Sequence, residues 1–143
     1  MQEVYQSENY RKNIIKSNYY ILNFLITQNL DFAVVCHINS VEFNPPVPKS
    51  IIEFEKLTIF NVANYTLESA HLSDNSLVIE TGFGQENFGS VLTISLDGIY
   101  QIIHNNELLA VNYYEPKTKK DSMDILLNNP ENLKLIKKNY KKP

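Results

Sequence analysis

Few side chains in this 143-residue sequence could do covalent chemistry, and their spacing does not favour it. His37, His71 and His104 are scattered beside apolar runs, without the short intervals by which a chain closes around zinc. Glu53 and Glu55 flank Phe54, so an extended segment puts both carboxylates on one face, the pattern of a solvated edge more than of an acid–base pair. Serines and threonines are plentiful, but none lies in a G-x-S-x-G elbow. Cys36, the single cysteine, follows the apolar run Phe32-Ala33-Val34-Val35, which suits a buried structural thiol. The segment Gly82-Phe83-Gly84-Gln85-Glu86-Asn87-Phe88-Gly89 has Asn87 where a dinucleotide fingerprint needs glycine, and it lies between strand-like runs instead of opening a helix. The expectation is a protein that is not an enzyme and uses no metal or cofactor.

Binding chemistry is the alternative. Gly82 and Gly84 let a backbone turn sharply or come close to a partner, and Phe83 between them either lines a groove or fills a bulged corner of the core. Nine tyrosines and seven phenylalanines, with no tryptophan, provide apolar area for clefts and interfaces as well as cores. Charge is distributed unevenly. From Lys117 onward eight lysines face Asp121, Asp124 and Glu131, a net +5, whereas residues 1–116 carry −8. Opposite charge on an appended segment serves partner capture more than folding.

The elements that must position these residues are legible from periodicity. Ile15, Tyr19, Leu22 and Ile26 recur at helical spacing over residues 8–29, with neither proline nor glycine between them. A second apolar set, Ile14, Tyr20, Ile21, Phe24 and Leu25, lies off that stripe, so the helix needs cover on more than one side. One side can pack on the domain, and the other, with Tyr20 and Phe24, is a candidate dimer surface. After Leu30 the period becomes extended: 32–38, 58–62, 67–72, 77–81, 91–96, 99–104 and 108–114 are short runs rich in branched and aromatic residues. Ser73-Asp74-Asn75-Ser76, Asp97-Gly98 and Asn105-Asn106 between them are turn chemistry. Asn44-Pro45-Pro46-Val47-Pro48 predicts a loop, because proline cannot donate to a ladder. The fold class is therefore mainly β with an N-terminal α-helix, built as a small antiparallel barrel or sandwich with a flexible C-terminal tail.

The division expected is one domain over 1–116, with its helix at 8–29 and strands within 32–115, then a linker over 117–131 and a tail over 132–143. No apolar stretch approaches the roughly 18 residues of a membrane span, and the opening MQEVYQSENY lacks a signal-type core, so a cytoplasmic protein is expected.

In order, these pieces resemble the SspB family of bacterial adaptors, which deliver tagged substrates to the ClpXP protease. The likeness is carried by Tyr20-Ile21-Leu22-Asn23-Phe24-Leu25, Leu30-Asp31-Phe32, Ile59-Phe60-Asn61-Val62, Leu77-Val78-Ile79-Glu80-Thr81-Gly82-Phe83-Gly84 and Tyr114-Glu115-Pro116, followed by Leu133-Lys134-Leu135-Ile136-Lys137 near the end. It implies an Sm-like β-barrel whose helix forms a homodimer through Tyr20 and Phe24. It implies too a groove that takes an extended ssrA-type tag, with Ile79, Thr81 and Phe83 as floor, Gly84 giving backbone access and Phe54 as a wall. Leu133, Lys134, Leu135, Ile136 and Lys137 would dock on the N-terminal zinc-binding domain of ClpX. The sixteen residues between Pro116 and Leu133 span about 20–24 Å as flexible coil. On this reading Phe83→Ala weakens tag capture and leaves folding intact. The partners are ssrA-tagged polypeptides and ClpX, with no nucleic acid and no membrane. The rival is an Sm-like RNA-binding protein using its basic tail, against which the −8 of the body argues.

Overall fold

The computed structural model describes residues 2–117, so the docking tail at 132–143, and all of the expected linker except Lys117, lie outside the described residues. A short helix α1 (Gln2–Tyr5) leads into α2 (Glu8–Thr27). Ser7 caps α2 by accepting from the Tyr10 N–H at 3.2 Å. The helix stops two residues before position 29 because Asn29 turns left-handed (φ 56°), which lets the Leu30 N–H reach back to the Leu25 carbonyl.

Eight strands follow: β1 (Phe32–His37), β2 (Val41–Asn44), β3 (Leu57–Val62), β4 (His71–Leu72), β5 (Ser76–Phe83), β6 (Phe88–Ser95), β7 (Ile99–His104) and β8 (Glu107–Val111). They form two four-stranded antiparallel sheets, ordered β3-β1-β7-β8 and β2-β6-β5-β4. The fold is thus mainly β with an N-terminal helix, as expected, and of the two architectures open from sequence the sandwich is found. The barrel is not: no ladder joins the sheets among the described residues, so the barrel does not close.

Several local expectations change, among them the run 108–114, of which the strand keeps only the part up to Val111. Residues 67–72 read as a strand, yet Tyr65–Ser69 forms a short helix, α3, and only His71–Leu72 pairs with β5. Asn64 enters α3 with φ 54°, a conformation asparagine tolerates, and Leu67 alone anchors the turn in the core. Strand β2 was not anticipated, because four residues ending at the proline loop are too few for a visible alternation. Strand β5 also runs on through Gly82 to Phe83, beyond the expected end at Thr81.

The core lies between the sheets, where Val34, Phe60, Leu77, Ile79, Leu92 and Ile102 meet, and Leu22 and Leu25 of α2 close it. Polar groups fasten α2 to the turn at Leu96–Gly98. Buried Asn18 donates to the Leu96 carbonyl at 2.9 Å, while Arg11 Nε donates to Asp97 Oδ2 at 2.8 Å. That hydrogen bond holds the Arg11 guanidinium even more firmly protonated than usual. Asn112, also buried, donates to the Asp97 and Ile99 carbonyls and accepts from the Tyr114 N–H. Among the described residues no helix is long and apolar enough to cross a membrane.

Candidate functional site

Strand β5 organises the site because it is paired unequally along its two sides. Toward β6 it is laddered along its whole length, from Ser76↔Ser95 to Phe83↔Phe88. On its other side β4 covers only Leu77 and Val78. Past that point the Glu80 N–H is taken by Ser69 Oγ at 2.8 Å, which shows that Glu80, and by alternation Gly82, turn their backbone groups away from β6. Among the described residues, none bonds the Glu80 carbonyl or the Gly82 N–H and carbonyl. A short stretch of strand edge is left without a partner.

That edge borders an open cleft of about 560 Å³. Tyr65 and Thr66 of α3 form one wall and Asn44 and Pro45 the other; Glu80, Gly82, Gly89 and Val91 underlie it and Asn87 bounds it at the hairpin. A Cβ on Gly82 would collide with the Asn87 carboxamide, so glycine is what lets this side chain lie against the strand. The Tyr65 hydroxyl donates to Glu80 Oε2, and that hydrogen bond to a carboxylate pushes the phenol's pKa up.

Behind β5, on its inner face, lies an aromatic cluster. Phe54 from the loop after the prolines stacks on Phe43 at 4.8 Å between ring centroids and 20° between planes. Its ring meets Phe83 edge-on at 5.4 Å and 81°, and Phe60 completes the group. Gly84 takes φ 72° and passes so close to Ile51 that a Cβ would stand 2.7 Å from its Cγ2. The proline loop is therefore folded over the tip of the β5–β6 hairpin.

The residues expected to bind a tag are thus distributed over two faces. Phe54, Phe83 and Gly84 are brought together with the proline loop, half-buried or exposed; Thr81 borders the cleft; Ile79 has no exposed surface and belongs to the core. Tyr20 and Phe24 project outward from α2, 68% and 58% exposed. Leu133, Lys134, Leu135, Ile136 and Lys137 lie outside the described residues. Sequence reasoning missed Tyr65, Glu80, Asn87 and Asn44. The one available signal was Glu80, the single charged residue in β5.

The histidines stay dispersed. His104 Nδ1 lies 2.6 Å from the Asp31 carbonyl, His71 stands on β4, and His37 packs edge-on against Tyr100 with its pKa lowered by burial. Among the described residues no three His, Cys, Asp or Glu side chains gather as a metal site. Burial raises the Cys36 thiol far above its ordinary pKa, so it is inert as a nucleophile.

No family model matches this chain, and no curated protein matches it either. The likeness to SspB adaptors therefore rests on the motifs themselves.

Proposed function

We propose that this protein is a non-enzymatic adaptor that captures an extended peptide tag of the ssrA type and hands its bearer to a ClpX-type unfoldase. The observation carrying the proposal is the unpartnered edge of β5 beside an open cleft. A peptide laid along it gains main-chain hydrogen bonds from the Gly82 N–H and carbonyl, and its alternate side chains enter the cleft. The aromatic cluster supports this surface from behind, since Phe54 and Phe83 hold the proline loop against the hairpin. In this reading the sandwich is an opened variant of the Sm-like barrel. The exposed Tyr20 and Phe24 pair two copies, and residues 133–137 supply the tether to the ClpX N-terminal domain. Two tethers on one dimer make the second docking event intramolecular, adding avidity without new contacts.

Nothing in the cleft favours RNA. Its described lining includes Glu80 and neither lysine nor arginine, the reverse of what a phosphate backbone attracts. Fluorescence-anisotropy titration of a labelled ssrA-type peptide tests the capture step, and saturable binding of one peptide per chain is the expected result. A second titration, with the isolated ClpX N-terminal domain, should give binding to the full chain that is lost on removing residues 130–143. Failure of the chain to bind any extended peptide would defeat the proposal.

A further inference from the structure

We infer that the cleft beside β5 selects a peptide whose lysine or arginine reaches the Glu80 carboxylate from the position facing Gly82, so that the captured segment is basic there. This deepens the peptide-binding reading and rests on it.

Several observations converge on that occupant. Glu80 is the one formally charged residue among the described residues lining the cleft. Its Oε2 accepts from Tyr65, while Oε1 has no partner among the described residues and remains available to a donor. The tyrosine fixes the carboxylate before any ligand arrives, which removes part of the entropy cost of forming an ion pair. The surroundings share its sign: Glu68 on α3 acts on the Tyr65 phenol, Glu86 sits in the hairpin turn, and residues 1–116 carry −8. Ser69 stands opposite Glu80, so the nearest peptide residue faces Gly82 and lies diagonal to Glu80, about 7–8 Å away, within reach of the ammonium or guanidinium group of a long side chain. Pro45, Val91 and the Tyr65 ring give the aliphatic stem of such a side chain apolar surface to lie on. An aspartate in the same place would meet the carboxylate with only neutral donors, such as the Asn44 and Asn87 amides and the Thr66 hydroxyl, and no cation among the described lining residues. The arrangement both attracts the cation and repels the anion.

The test uses the full chain and labelled, otherwise neutral extended peptides in which one position at a time is lysine, alanine or aspartate, read by fluorescence anisotropy. At one position the lysine peptide should bind about three- to tenfold tighter than alanine, and aspartate should bind weaker, the range expected for a half-buried charged contact. The preference should shrink at about 0.5 M salt. Glu80→Gln should bring lysine and alanine peptides within twofold of each other, whereas Glu107→Gln, on the other sheet, should leave the preference in place. Equal affinities for the three peptides at every position, or a lysine advantage that survives Glu80→Gln, overturn the charge selection and leave peptide capture standing. If no peptide binds at any position, the capture reading fails, and the selectivity with it.

Discussion

Replacing Phe83 by alanine should destabilise the domain by about 2.5–3.5 kcal/mol, so it is not the clean binding probe that sequence reasoning expects. The ring is half-buried and meets three others, at 5.4 Å from Phe54, 6.1 Å from Phe43 and 6.4 Å from Phe60. Truncating a fully buried phenylalanine costs about 3–5 kcal/mol, and partial burial reduces that to about 2. Loss of the edge-on contact with Phe54 adds about 0.5–1.5 kcal/mol. Urea denaturation followed by tyrosine fluorescence or far-ultraviolet circular dichroism should show the midpoint falling by about 1–2 M at an unchanged slope. Phe83→Leu preserves most of the volume and should cost less than about 1.5 kcal/mol, which makes it the better variant for peptide titrations. In a double-mutant cycle with Phe54→Ala, the pair should couple by about 0.5–1.5 kcal/mol. Additivity within about 0.3 kcal/mol would refute the claim that the proline loop is held to the hairpin through these two rings.

Asn112→Ala should cost about 2–4 kcal/mol in the same denaturation assay, because the Asp97 carbonyl loses a donor and the Tyr114 N–H its acceptor in a buried setting. A loss under about 0.5 kcal/mol would contradict that assignment. His37 predicts a pH effect whose sign follows from its lowered pKa. In acid the unfolded chain takes up this proton first, so the contribution is complete above about pH 6.5 and declines as pH falls from there toward the folded value. Thermal melts between about pH 7 and 5 should accordingly show a shallower loss for His37→Gln than for the parent, and identical slopes would remove the histidine from the account. Substituting serine for both Tyr20 and Phe24 should convert the proposed dimer to monomer in light scattering, with a change in the stability of the fold within about 0.5 kcal/mol, as expected for exposed positions. A parent chain that is already monomeric would end the dimer proposal.

Local sequence determined what local physics controls. The 3.6-residue period located α2, with only its end displaced by the left-handed Asn29, and the run 99–104 coincides with β7. The prolines marked their loop. At 67–72 the same reasoning failed, because so short a run, with apolar residues only at Leu67, Ala70 and Leu72, fits one helical turn as well as a strand. The site was only half legible for a related reason. Period-two alternation places Ile79, Thr81 and Phe83 on one face of β5 and Glu80 and Gly82 on the other, but it does not say which face is covered. The second sheet decides that by burying Ile79 and leaving the Glu80 face open to the cleft. The meeting of Phe54 with Phe83 and of Tyr65 with Glu80 is decided the same way. Each pair is far apart along the chain, and its contact energy exists only once the sheets have closed the intervening loops.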